Sequence, residues 1–241
     1  MTMNLFTRRA VLLAATALTL AACGNAESDT SANNTSGDAL REMSLGSPDA
    51  PVTLVEYASI TCPHCKTFHE EIMPTLKATY IAEGQLRYVF NDFPTPPQNI
   101  AVAGAAIGRC VGEDKYFDVL DDLFENQTGI MSAARAGAAK AALEAVAGRH
   151  GLSPEEFETC INNPDIRKEI VDIVMQGEDL GVRSTPTLFL NGERLTTAYS
   201  HTLQGLSELI DAELGIEPPV EPDAAEEPAE DDTAPELIEG E

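Results

Sequence analysis

The chain has 241 residues, 43% of them hydrophobic, which suits one domain of ordinary size with room for an insertion. Its formal charge of −25 excludes nucleic acid and anionic membrane surfaces as electrostatic partners. Five cysteines suit an oxidising compartment, provided some of them pair.

Residues 1–22 read as a targeting segment. Arg8 and Arg9 precede the apolar run Ala10 to Ala22, too short for a comfortable membrane span. The run ends Leu20-Ala-Ala-Cys23-Gly, which resembles the bacterial lipoprotein processing site, where the cysteine becomes the lipidated first residue of the mature chain. Lipidation of Cys23 is the expectation, and an ordinary signal peptide cut nearby is the alternative. Thr7-Arg-Arg-Ala-Val-Leu also carries a hint of twin-arginine export. Residues 23–43 are rich in Ser, Thr, Asn, Asp and Gly and hold almost no large apolar group, so they are predicted to be a flexible tether.

Met43 to Leu45 predicts a short edge strand, and Gly46-Ser-Pro-Asp-Ala-Pro51 a turn. Val52 to Ile60 predicts a buried central strand, apolar on both faces and broken only by Glu56. A helix follows, with Cys65, Phe68, Ile72, Leu76 and Tyr80 at helical spacing and a kink expected at Pro74. Gln85 to Phe93 alternates as a second strand and runs into Pro94-Thr-Pro-Pro97. Between 98 and 181 no convincing strand occurs; helical pieces are predicted over 98–110, 113–126, 131–149, 154–162 and 165–180. Ser153-Pro-Glu-Glu156 fits a capping box with proline at the first helical position. Thr187–Leu190 and Glu193–Thr197 flank Asn191-Gly192, a type I′ hairpin signal, and Thr202–Leu214 predicts a closing helix. Residues 216–241 carry eleven acids and no base, a disordered acidic tail by composition that leaves −25 + 11 = −14 on the remainder.

Chemistry concentrates at Cys62-Pro-His-Cys65, on the first turn of the predicted helix. Unpaired backbone N–H groups and the helix macrodipole favour negative charge there. Cys62, nearer the helix end and expected to be the more exposed, is the predicted nucleophile; Cys65 is the predicted buried resolving thiol, three residues on and able to close a small disulfide. The competing reading is half a zinc site, but zinc in a structural site wants four ligands, and Cys110 and Cys160 come singly while His69 faces away from a second pair. A third reading, from a different class, is copper handling through Cys62, Cys65 and His64, since thiolates suit soft Cu(I).

Val-Glu-Tyr-x-Ser-x-x-Cys-Pro-His-Cys65, Asn91-Asp-Phe-Pro94 and Ser184-Thr-Pro-Thr-Leu-Phe-Leu-Asn-Gly192 together resemble the DsbA family of thiol-disulfide oxidoreductases over roughly Ser44 to Leu214. The resemblance implies an α/β, thioredoxin-like fold, built from 44–97 and 182–215, with an inserted all-helical subdomain at 98–181. It implies that Pro63 and His64 tune the thiolate, with the His64 side chain donating a hydrogen bond or positive charge toward Cys62. Glu56 sits where the family carries an acid six residues before the first cysteine; a buried carboxyl there can relay a proton to or from Cys65. Thr185-Pro186 resembles the family's cis-proline loop, which faces the disulfide and pairs with extended substrate backbone. Thr185 departs from the apolar residue of strongly oxidising relatives, which leaves the oxidising strength open. Cys110 and Cys160 are either a structural disulfide or two buried free thiols, and an envelope compartment favours the disulfide.

The expected function is therefore an envelope thiol oxidase on the periplasmic side, anchored through a lipid at Cys23, that donates a disulfide to reduced or unfolded exported proteins. The family further implies no bound cofactor, reoxidation by a quinone-linked membrane partner, and action as a monomer. A disulfide reductase or isomerase of the same fold is the alternative.

Overall fold

A computed structural model describes residues 40–216. The targeting segment, Cys23, most of the tether and the acidic tail after Ile216 lie outside the described residues.

Five strands form one mixed sheet: β1 (Met43–Leu45), β2 (Val52–Ala58), β3 (Leu86–Asp92), β4 (Thr187–Leu190) and β5 (Glu193–Arg194), in the order β1-β3-β2-β4-β5. β2 is central, parallel to β3 and antiparallel to β4, because its connection to β3 runs through a helical crossover while β4 arrives from the insertion. The register places Glu56 between Phe90 and Leu188, and Leu54 beside Tyr88. Side chains alternate across a strand. Leu54, Glu56, Tyr88, Phe90 and Asp92 therefore share one face, and Val55, Tyr57, Val89 and Phe189 the other.

The first face is covered by α1 (Pro63–Glu71), α2 (Met73–Leu76), α4 (Glu113–Glu125) and α9 (Leu203–Leu214), whose Phe68, Leu76, Phe117, Phe124, Leu206 and Ile210 join the strands in the main core. Each such side chain contributes about 1.5–3 kcal/mol when fully buried. The second face meets α8 (Pro164–Asp179) through Ile173, beside Tyr57, Val182 and Phe189. Gly177 permits this approach: a Cβ there would lie 2.8 Å from the Tyr57 ring.

Several predicted boundaries shift, each for a local reason. β2 stops at Ala58 rather than Ile60, since the Ser59 hydroxyl turns the chain by bonding Thr61 and the backbone N–H of Thr95. The first helix breaks at Ile72, just before Pro74, and ends in a π-helical turn over Lys77–Ile81. The single helix expected over 131–149 is two, α5 (Gln127–Arg135) and α6 (Ala139–Arg149), separated at Gly137, whose φ of +76° suits glycine and ends a helix. With α3 (Gln98–Val111) and α7 (Pro154–Ile161), capped by the Ser153–Glu156 box, they complete the helical insertion. β5 is two residues long instead of five; beyond Arg194 the chain turns into a 3₁₀ segment at Tyr199–His201. Asn191 (φ +47°) and Gly192 (φ +84°) supply the two positive angles that a type I′ hairpin needs. Ile216 belongs to the cap of α9 rather than to the tail, because its N–H bonds the Asp211 carbonyl at 2.8 Å.

Cys110 and Cys160 are joined in a disulfide, so they are not the two free thiols that the sequence left open. The bond ties the end of α3 to α7 beside a small apolar cluster of Ala105, Ala106, Ile166 and Ile170.

Candidate active site

The sharp turn from β2 into α1 sets the site. Cys62 is the N-cap residue of α1 in extended conformation, and Pro63 opens the helix where no N–H is needed. The loop is held from two sides. Thr61 Oγ1 lies 2.9 Å from both the Thr95 carbonyl and the Thr95 hydroxyl. Gln127, buried at the start of α5, donates from Nε2 to the carbonyls of Ile60 and Cys62, each at 2.9 Å. The insertion thus reaches back to fix the backbone of Cys62.

Both thiols are buried, Cys62 at 8% exposure and Cys65 at 0%. The expected contrast of an exposed and a buried sulfur is therefore smaller in area than the sequence implied, because Thr185, joined to Pro186 by a cis peptide bond, lies against Cys62. In charge the contrast is large. The Cys62 pKa falls to about 5: the Cys65 side chain donates to its sulfur, burial opposes the shift, and the Thr185 side chain and the N–H groups of Cys65 and His64 add to it. Cys62 Sγ also lies 3.4 Å from the Thr185 carbonyl, so Thr185 offers one group to the thiolate and another to the thiol. Cys65 moves far the other way, pushed up by burial, by its bond to the Cys62 sulfur and by the Glu56 charge. One sulfur is an anion at neutral pH and its neighbour keeps its proton.

His64 enters through its backbone N–H; its side chain is exposed, so the main chain supplies the contact that the sequence assigned to the imidazole. Pro63 is likewise exposed.

Behind Cys65 the strands place Glu56 and Tyr88 on one face, and α1 brings His69 onto them. Glu56 is completely buried, which removes the possibility that it reaches water. It is also partnered, contrary to the picture of a lone acid in an apolar strand: its Oε2 accepts from the Tyr88 hydroxyl and lies 3.2 Å from His69 Nε2. Tyr88 OH and His69 Nε2 are themselves 3.2 Å apart. Burial lowers the His69 pKa, but the Glu56 charge and Asp121 outweigh it and the net shift is upward. Burial, then the Glu56 charge, raise Tyr88 well above its ordinary value. Sequence reading missed His69 and Tyr88 as partners. His69 lies four residues after Cys65 on the buried stripe of the helix, and a titratable side chain there was the available signal. Gln127 gave none.

A family model described as thioredoxin matches residues 38–212. A Rickettsia typhi protein provisionally named a protein-disulfide oxidoreductase is 30% identical over 176 residues, covering 72% of this chain and 62% of that one. The chain spans less than two thirds of the length of the Rickettsia relatives it matches. The crystal structure of alpha-DsbA1 from Wolbachia pipientis superposes with a TM-score of 0.66 at 26% identity, over 74% of this chain and 93% of that one. Oxidised BdbD from Bacillus subtilis shares the fold, with a TM-score of 0.61 at 21% identity over 72% of this chain and 93% of that one. The chain belongs to the DsbA-like family of thioredoxin folds.

Proposed function

We propose that this protein is a thiol-disulfide oxidoreductase that donates the Cys62–Cys65 disulfide to exported proteins. The observation that carries the reading is the opposed pair of sulfurs, Cys62 ionising near about 5 and Cys65 held protonated. In donation, a substrate thiolate attacks Cys62, and Cys65 leaves and takes up a proton, for which Glu56 is the nearest relay. A second substrate thiolate then attacks the mixed disulfide and expels Cys62, a good leaving group because its thiolate is stable. Stabilising that thiolate stabilises the reduced protein and makes the disulfide oxidising. Thr185, next to the thiolate, favours this direction through its side chain.

Leu20-Ala-Ala-Cys23 and the polar stretch after it support a place in the bacterial cell envelope, tethered at Cys23. None of the described helices is long and apolar enough to cross a membrane. Docking of extended reduced chains beside Pro186, and reoxidation by a quinone-linked membrane partner, follow from the family reading.

Equilibration with glutathione tests the direction. The potential is expected above about −200 mV, and a value near that of thioredoxin, about −270 mV, turns the reading to a reductase. The Cys65→Ser protein should accumulate a mixed disulfide with a reduced substrate through Cys62; failure to trap one removes the activity. Intact mass of the native protein checks acylation at Cys23.

A further inference from the structure

The Glu56–His69 pair does not end inside the protein. His69 is a bridge with two different sides. Its Nε2 lies 3.2 Å from Glu56 Oε2, and its Nδ1, which makes no hydrogen bond with another described residue, lies 3.9 Å from Asp121 Oδ1. The imidazole is almost fully buried, at 2% side-chain exposure, while Asp121 is 46% exposed and pairs with Lys77 at 2.5 Å. Above the ring opens a surface cleft of about 240 Å³, lined by His69, Pro74, Lys77, Asp121 and Phe124 among others. That volume admits water several times over. None of the lining residues belongs to the Cys62–Thr185 surface.

We propose that His69 and this cleft are a rear proton channel for Cys65, passing protons between Glu56 and solvent beside Asp121 while a docked chain covers Cys62. The proposal rests on the disulfide-exchange reading.

The chemistry asks for such a route. When substrate attacks Cys62, the Cys62–Cys65 bond breaks and its electron pair leaves on Cys65. Burial and the Glu56 charge make that thiolate costly, so one proton must arrive. His69 Nε2–H gives its proton to the Glu56 carboxylate, Glu56 passes it to Cys65, and Nδ1 recovers one from the Asp121 side. In the reverse direction each transfer runs backward. Imidazole suits the position because it can accept on one nitrogen and donate from the other, whereas lysine and arginine have no acceptor. Nδ1 is itself buried, so the half-exposed Asp121, 3.9 Å away, stands between it and the cleft. In this route His69 acts through Glu56 as a positioning residue.

The test is stopped-flow reduction of the oxidised full chain by a dithiol peptide. His69→Ala is expected to slow cleavage of the Cys62–Cys65 bond on the order of tenfold. The thiolate midpoint of Cys62 should stay where it is. Because His69 stacks on Phe124 at the floor of the cleft, its removal leaves a slot that free imidazole can enter. Added imidazole should restore the rate in proportion to its concentration, and pyrazole, of the same shape but a much weaker base, should not. Equal rescue by both, or His69→Ala rates equal to wild type from pH 5 to 8, overturns the proposal. The groups facing His69 over that range are Glu56 from β2, Tyr88 from β3, Asp121 and Glu125 from α4, Glu70 from α1 and Lys77, and their titration is read as one coupled set. If His69→Ala does not fold, Asp121→Asn decides: a rate lowered about threefold supports the channel, and a wild-type rate ends it. A wild-type protein that exchanges no disulfide at all overturns the oxidoreductase reading first, which separates the two failures.

Discussion

Two buried charged clusters lie on the same face of the sheet and pack against helix α4, yet only one of them lies on the proposed proton route. Each contains a carboxylate from a central strand, a tyrosine and a cation: Glu56, Tyr88 and His69 in one, Asp92, Tyr116 and Arg109 in the other. The Asp92 cluster is the more heavily bonded, although Arg109 Nη2 meets Asp92 Oδ2 at 2.9 Å as an ion pair without a well-directed hydrogen bond. Both Asp92 oxygens accept from Tyr116 at 3.1 Å, Arg109 Nε donates to Oδ2 at 2.9 Å, and its Nη1 donates to Glu169 at 2.8 Å. Arginine stays charged throughout. That cluster pins α3, α4 and α8 to the end of β3. The Glu56 cluster has a cation that titrates, a carboxylate oxygen with no hydrogen-bond partner among the described residues, and the one thiol of the pair that must gain and lose a proton. The same ingredients make a rivet in one place and chemistry in the other, and the basicity of the cation decides which.

The largest effect should come from breaking the rivet. Arg109→Leu leaves Asp92 buried with Tyr116 alone, and removing one partner of a buried pair costs about 3–5 kcal/mol. Urea denaturation of the oxidised protein should show that loss, while the surviving folded fraction keeps a Cys62 midpoint near about 5. A shifted midpoint would mean that the two clusters are coupled. Arg109→Lys should recover little, since lysine cannot reach Asp92 and Glu169 together.

The redox pair supplies the next effect through linkage. The folded Cys62 pKa lies at about 5, below the ordinary value of 9.0. A depressed folded pKa gives stability that is fully present above the unfolded thiol value and is lost as pH falls through the folded one. The reduced protein has this contribution and the oxidised protein does not. The stability of the reduced form relative to the oxidised one should therefore climb between about pH 5 and 9 and level off below. Parallel urea midpoints for the two forms across that range would remove the thiolate from the account.

Gln127→Leu sharpens the contrast between front and rear of the site. It leaves the buried carbonyls of Ile60 and Cys62 without their side-chain donor. The expected cost is about 1–3 kcal/mol in denaturant titration, mostly from the Ile60 carbonyl, since the Cys62 carbonyl keeps the Lys66 N–H. The Cys62 midpoint should hold, because the groups that act on its sulfur come from α1 and Thr185.

What the sequence disclosed of all this follows the range of the interactions. The central strand, the cysteine pair at its end and the Asn191-Gly192 hairpin are written in residues close together, where periodicity and turn chemistry operate. Glu56 was visible as an acid in an apolar run, but its partners come from 13 and 32 residues away, and only the register that sets Leu54 beside Tyr88 brings them together. Arg109 lies in an alanine-rich helix whose pattern gives no reason to bury a guanidinium; Asp92, Tyr116 and Glu169, on three separate elements, supply that reason. Gln127 lies between the predicted helices 113–126 and 131–149, because the alanine-rich pattern runs straight across the break at Gly137 and hides where α5 begins. Short-range chemistry was legible, and the satisfaction of buried polar groups across elements was not.

The finest test sets the two tyrosines against each other. Tyr88→Phe and Tyr116→Phe each delete one hydroxyl that donates to a buried carboxylate, and in each case the cation stays behind to hold the charge. Both should therefore cost a similar, small amount, about 1.5 kcal/mol, at the low end for a bond to a charged group. Their effects on exchange should separate. Asp92 lies outside the proposed relay, so Tyr116→Phe should leave the pH dependence of peptide exchange unchanged. Tyr88 donates to the oxygen of Glu56 that also faces His69, so its loss leaves His69 as the remaining hydrogen-bond donor to that oxygen. The Tyr88→Phe profile for the step in which Cys65 leaves should differ from that of the wild type, with the Cys62 midpoint unaltered. Matched profiles in the two variants, at matched stability, would mean that the Glu56 cluster is a second rivet.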